Sequence, residues 1–254
     1  MASPKILIYD IETCHNIVAA FQLKVDYIHP QNILQERHLV SVAWKWLGEK
    51  TVHSFSLLDD PKRFAKNPHD DTAICMKLHQ LFSEADIIVA HNGDKFDKKI
   101  VEGRMFINGL DPLPQLTTID TLKVARKRFN LNAYNLNYLG KILGIGSKIH
   151  VDNTLWLQVL NSDVEAIKKM VKYNKGDIVL LEKVFLKLRP YITNIPTFHD
   201  GHRCTKPGCG SKKLQSRGVA RNATRVYQRF QCQVCGGWSR ALKSEKTSLE
   251  VRAL

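Results

Sequence analysis

The chain has 254 residues, with 38 Lys and Arg against 24 Asp and Glu and a formal net charge of +14; 44% of it is hydrophobic. That composition excludes a disordered or collagen-like chain, and the length suits one large core plus a small module. The charge makes a polyanion the expected partner, nucleic acid before an acidic membrane surface. No apolar stretch approaches the ~20 residues of a bilayer span, and the amino terminus runs into a short apolar segment without a cleavage site. A cytoplasmic protein with no membrane partner is expected.

In chain order, residues 5–9 form a short apolar strand that runs into Tyr9-Asp10-Ile11-Glu12-Thr13. Residues 39–47 and 51–57 are rich in β-branched and aromatic side chains and are joined by Gly48-Glu49-Lys50, which predicts a hairpin. Residues 72–82 have helical spacing, 86–90 read as a buried strand, and 95–107 read as a helix with Phe96, Ile100 and Ile107 on one face. A strand at 117–121 and a helix at 122–129 follow. Ser162 caps a long pattern in which Val164, Ile167, Val171, Ile178, Leu181 and Phe185 are apolar. Three opening strands followed by alternating helices and strands imply an α/β fold, a mixed sheet covered by helices. From His199 onward there are 12 Lys and Arg against 3 Asp and Glu, net +9. The Pro, Asn and Gly residues just before and after that point mark a linker. The expected organisation is a domain at 1–192, a linker at 193–200, a cysteine module at 201–242 and a basic tail at 243–254.

Three acidic motifs stand out. Period-two alternation puts Asp10 and Glu12 on one face of the first strand, where two carboxylates repel unless a cation lies between them. In Asn92-Gly93-Asp94-Lys95-Phe96-Asp97 a buried strand turns into a helix that starts with an acid. In Tyr173-Asn174-Lys175-Gly176-Asp177, Tyr173 and Asp177 share a helix face four residues apart, with Gly176 a point where the helix could break. Each alone has an ordinary explanation: a solvated strand end, a helix-start charge, an amphipathic helix. In this order and on these elements they resemble the three motifs of the DEDD 3′–5′ exonucleases, which have a ribonuclease H-like fold. The Tyr-x-x-x-Asp motif is similar to the tyrosine subtype found in proofreading domains of family B DNA polymerases.

The resemblance covers residues 5 to about 190. It implies two-metal phosphodiester hydrolysis with two Mg²⁺ or Mn²⁺: Asp10 bridging both ions, Glu12 and Asp177 completing the water-activating site, and Asp97 supporting the second ion. Tyr173 would orient the water as a neutral phenol, and Thr13 and Asn92 would contact the terminal nucleotide. Asp120 is read as a cap of the following helix, His91 lies outside the pattern, and Cys14 and Cys75 are packing residues.

Cys204-x4-Cys209-Gly210 and Cys232-x2-Cys235-Gly236 form two paired knuckles. In a chain without an export signal this favours a metal over disulfides, and the pattern resembles a zinc ribbon with one structural Zn²⁺ on four cysteines. His202 is the alternative ligand for the looser first knuckle, with four cysteines the stronger choice. Between the knuckles, Arg225, Tyr227 and Arg229 share one strand face, a cationic surface with an aromatic ring suited to nucleic acid.

The expected function is a stand-alone 3′–5′ exonuclease acting on DNA with a free 3′ end, since the length leaves no room for a polymerase domain. The alternatives are an RNA exonuclease or structure-specific endonuclease on the same fold, or a non-catalytic nucleic-acid-binding or polymerase-accessory protein. A replication protein such as a polymerase or helicase is the second class of partner.

Overall fold

The computed structural model describes residues 4–193, 195–196, 201–222, 225–243 and 245–246. Five of the positions assigned to the linker (194 and 197–200) and positions 244 and 247–254 of the basic tail lie outside the described residues. The chain divides into two compact units, one of Lys5–Phe185 and a second that takes in Pro4 and the described residues from Leu186 onward.

The first unit opens with β1 (Ile6–Thr13), a short antiparallel pair β2 (Ile17–Val18) and β3 (Ile33–Gln35), and the hairpin β4 (Leu39–Trp46) and β5 (His53–Ser56). Then come α1 (Pro61–Lys66), α2 (Thr72–Glu84), β6 (Ile87–Ala90), α3 (Asp97–Ile107), β7 (Thr117–Asp120) and α4 (Thr121–Arg128). Two short helices, α5 (Leu136–Ile142) and α6 (Thr154–Leu160), lead to the long α7 (Val164–Leu188). The main sheet has the order β5-β4-β1-β6-β7; β1 runs antiparallel to β4 and parallel to β6, which is parallel to β7. β1 is the central strand, fully flanked.

Its two faces do different jobs. Leu7, Tyr9 and Ile11 join a buried cluster with Ile74, Leu78 and Phe82 of α2 and Val101 and Met105 of α3. Tyr9 meets Phe82 edge to face, centroids 4.9 Å apart, the arrangement that ring quadrupoles favour. On the other face, Asn174 of α7 bonds Asp10, and Lys45 of β4 pairs with Glu182 of α7 at 2.5 Å. A mixed sheet with helices over both faces of its centre is therefore observed as expected.

Three local readings are corrected. Asp163, not Ser162, caps α7: its Oδ1 accepts from Ala166 N at 2.7 Å, while Ser162 sits at φ +60. In α3 the buried residues are Asp97, Val101 and Met105, and Phe96 and Ile107 are exposed; the face turns because Asp97 points inward. α7 also runs unbroken through Gly176, where a Cβ would lie 2.9 Å from Ile149 Cδ1. The glycine makes room for the 140s loop and breaks nothing.

The second unit contains β8 (Leu214–Arg221), β9 (Arg225–Cys232), β10 (Trp238–Arg240) and β11 (Glu245–Lys246). β9 pairs antiparallel with each of the other three.

Candidate active site

The site starts from the pleat of β1. Asp10 and Glu12 leave the strand on the same face, and α7 crosses there with Asp177. One carboxylate oxygen from each of the three lies within 4.8 Å of the others. Asp177 is buried and its Oδ1 has no hydrogen-bond partner. A converging set of hard oxygen donors with a buried, unused lone pair fits a divalent cation such as Mg²⁺ or Mn²⁺.

Asp10 is aimed by a relay. Asn174 Nδ2 donates to Asp10 Oδ2 at 2.7 Å, and Ser41 Oγ on β4 donates to Asn174 Oδ1 at 3.1 Å. Asn174 and Ser41 are wholly buried, so their polar groups have nothing else to bond and hold one geometry. Lys148, from the loop between α5 and α6, supplies the counter-charge: its Nζ lies 2.5 Å from Asp177 Oδ2 and 3.0 Å from the Tyr173 hydroxyl. It thereby joins the two side chains that share a face of α7.

Burial and mutual repulsion raise these carboxyl groups. Glu12 is pushed up to about 8, by burial first and then by the Asp177 carboxylate. Asp10 is raised well above the usual range by burial, then by Asp97, Glu12 and Asp177. Asp97 is pushed up to about 7 by burial, against nearby backbone N–H groups that lower it. Asp177 is raised by burial although the Lys148 ammonium opposes it. Burial alone would lower Lys148, but the Asp177 carboxylate and the Tyr173 hydroxyl together outweigh it and the ammonium is held firmly protonated. Tyr173 is raised by burial and stays a neutral phenol at pH 7.

Asp97 lies beside the three-carboxylate group without joining it: its Oδ1 receives Ile11 N at 3.4 Å. Asn92 occupies the turn before α3 at φ +68, a left-handed conformation that asparagine tolerates. Asp120 Oδ1 holds Asn92 N at 2.9 Å and also receives Leu122 N and Lys123 N, so it caps α4 and clamps this turn together. Thr13 lines a cavity of about 450 Å³ that begins at Glu12. Cys14 is buried with its Sγ 2.9 Å from His38 Nδ1, and Cys75 is buried under Asn108. The reading from sequence passed over Lys148, Asn174 and Ser41. Asn174 was adjacent to a motif tyrosine; Lys148 sits in a glycine-containing loop where no periodicity marks it.

In the second unit the Sγ atoms of Cys204, Cys209, Cys232 and Cys235 all lie within 4.8 Å of one another. The Cys204–Cys235 and Cys209–Cys232 separations are 3.6 and 3.8 Å. Tetrahedral zinc at about 2.3 Å from each sulfur requires about 3.8 Å between sulfurs. Gly210 and Gly236 take positive φ of 53° and 73°, and Val234 N and Gly237 N each approach a thiol sulfur at 3.4 Å. Burial raises the Cys232 thiol, but the Cys235 and Val234 N–H groups and hydrogen bonds with the Cys204 and Cys209 thiols together outweigh it and bring it to about 7. His202 instead meets Phe230 edge to face at 4.6 Å. On β9 and β10, Arg229 stacks on Trp238 at 4.7 Å and Arg240 on Tyr227 at 4.3 Å. Arg225 lies outside these stacks; its N–H bonds Asn222 Oδ1 at 2.8 Å.

Comparison with known proteins adds two findings. The chain is 25% identical over 192 residues to "DNA polymerase III PolC-type" of Ureaplasma parvum serovar 3; the alignment covers 72% of this chain and 13% of that protein, so the chain spans a small part of the polymerase's length. Residues 48–189, more than half of the chain, match the RNase_H superfamily (RNase_H_2), and that span includes Asp97, Lys148, Tyr173, Asn174 and Asp177. With its five-stranded mixed sheet flanked by helices, the chain belongs to the RNase H superfamily.

Proposed function

We propose that this protein is a metal-dependent 3′–5′ exonuclease of the DEDD type, tyrosine subtype, acting on DNA with a free 3′ end, and that its cysteine module is a zinc ribbon that grips nucleic acid. The observation that carries this reading is the meeting of Asp10, Glu12 and Asp177 oxygens within 4.8 Å, beside a tyrosine on the same helix face as Asp177. Superfamily membership supports a nuclease in general terms, and the polymerase relative favours DNA and a replication setting.

Asp10, Glu12 and Asp177 would hold two Mg²⁺ or Mn²⁺, with Asp97 supporting the second through water. When bound, such a pair supplies a water of lowered pKa and neutralises charge on the attacking and leaving oxygens. The chain's own residues do the positioning. Asn174 fixes the Asp10 carboxylate, the neutral Tyr173 phenol orients the water, and Lys148 holds Tyr173 and Asp177 in register. Thr13 and Asn92 would contact the terminal nucleotide. Arg225, Tyr227 and Arg229, joined by Trp238 and Arg240, would receive the strand on the ribbon, whose four thiolates would hold one structural Zn²⁺.

End-labelled DNA and RNA oligonucleotides of matched sequence test the reading. With Mg²⁺ or Mn²⁺, 5′-mononucleotides should leave from the 3′ end, faster from DNA, and chelation should stop release. Asp10→Ala and Asp177→Asn should abolish hydrolysis while the fold and nucleic-acid binding persist. Tyr173→Phe should lose part of the rate, within the roughly 10²–10⁴-fold typical of such groups. Substantial activity in Asp10→Ala overturns the two-metal reading, and internal fragments from a circular single strand point to an endonuclease.

A further inference from the structure

Residues 19–32 connect β2 to β3, and the base of this arm is closed by Ala19 N, which donates to Asn32 O at 2.8 Å. Beyond that bond lies Phe21-Gln22-Leu23-Lys24-Val25-Asp26-Tyr27, in which apolar and polar side chains alternate without a break. A period of two belongs to a β-strand with one face covered. The fold supplies neither the sheet nor the cover. Among the described residues the backbone groups of residues 20–28 form no hydrogen bond, and the chain bends at 21–23. Phe21 and Leu23 are fully exposed at 106% and 108%, Tyr27 is 73% exposed and Val25 40%. One large apolar side chain at a surface is ordinary, but four in alternation on one segment mark an interaction surface. The unpaired backbone says of which kind: the segment is built to pair with another strand.

The charges of the segment select the partner. In an antiparallel pair, directly opposed residues share a face, so two copies match apolar with apolar only when their two-fold axis passes through a residue. An axis through Lys24 sets Lys24 on Lys24, and one through Asp26 sets Asp26 on Asp26. An axis through Leu23 leaves both charges facing uncharged residues. Through Val25, Lys24 of each copy opposes Asp26 of the other, twice over, and Leu23 lies against Tyr27. Parallel pairing in register would again stack Lys24 on Lys24. Like charges directly opposite destabilise a pair and unlike charges favour it. Lys24 and Asp26 have no ion-pair partner among the described residues, so both are available. We propose that residues 21–27 are a self-recognition strand, through which two copies of this chain join as an antiparallel ribbon centred on Val25. The ribbon is small and the arm must straighten to form it, so the dimer is reversible and of micromolar strength.

Sedimentation velocity measures the association. At about 0.15 M salt the Debye length of about 8 Å screens most of the repulsion between two chains of +14 and spares the directly opposed pairs. The wild type should pass from monomer to dimer between about 1 and 100 µM. Lys24→Asp and Asp26→Lys should each weaken the dimer by about 10-fold or more, because each sets like charges opposite at two places. Mixed in equal amounts, the two variants should recover the wild-type affinity as a heterodimer, since every acid then opposes a base. Both side chains are exposed, so neither change disturbs the core. A wild type that stays monomeric at about 100 µM points to a foreign strand as the occupant and overturns the proposal. Single variants that dimerise as well as the wild type, or a mixture that stays monomeric, overturn it equally. Hydrolysis has no part in the readout, so failure of the nuclease reading leaves this result untouched.

Discussion

At Glu12 the folded chain holds a proton that the unfolded chain has already lost. Its carboxyl goes from an ordinary 4.5 to about 8, and Lys148 is the cation that opposes protonation at Glu12 and equally at Asp10, Asp97 and Asp177. Between those two values the native state binds more protons than the unfolded state, so stability contributed by Glu12 falls as pH rises from about 4.5 through about 8. Divalent ions held as proposed would bind the ionised carboxylates and release those protons. The gain in melting temperature on adding Mg²⁺ or Mn²⁺ should accordingly be small near pH 6 and larger near pH 8, with Glu12→Gln flattening the difference. Thermal unfolding at the two pH values checks it, and an equal gain at both would show that the ions bind elsewhere.

Packing of elements decides how tightly the loop bearing Lys148 is held. In α5, a Cβ on Gly140 would lie 2.6 Å from Gly146 O and 2.8 Å from Leu180 Cδ1 of α7. Alanine favours a helix by about 0.5–1 kcal/mol over glycine, but overpacking costs about 1–3 kcal/mol. Gly140→Ala should therefore lower the melting temperature, and, by shifting the 144–148 turn that carries Lys148, lower activity further than stability alone explains; a raised melting temperature would contradict this packing. The same contacts show what could be read from sequence. Asp10 and Glu12 were legible because strand alternation alone puts them together, and Asp120 because a cap is a local interaction. Asn174 and Lys148 were not, since their roles arise from partners 164 and 29 residues away. The inner face of α3 was misread because it buries Asp97, and apolar periodicity has no symbol for a carboxylate turned inward. The short helices α5 and α6 carry too few turns for a pattern to emerge.

For the whole molecule, charge is unevenly shared. Residues from 199 onward carry net +9 of the total +14, and the four thiols would supply one tetrahedral site. Elemental analysis should find about one zinc per chain. If the stacked arginines meet phosphates, Arg229→Ala with Arg240→Ala should make the log–log salt dependence of single-strand binding shallower by about 1.4, roughly 0.7 per lost contact. Unchanged slopes would mean that the two guanidiniums only cover their rings. Among the described residues no helix is long and apolar enough to cross a membrane.

The hydrogen bond from Asn174 to Asp10 joins residues 164 positions apart, and this bears on when the protein acquires its chemistry. During synthesis β1 emerges first, but its carboxylates stay unpaired until α7 has left the ribosome. No shorter nascent chain holds Asp177 or the group that orients Asp10. On the proposed function, an unfinished or carboxy-terminally nicked product lacking α7 would not hydrolyse nucleic acid, and the long sequence separation that slows folding would also delay assembly of the site.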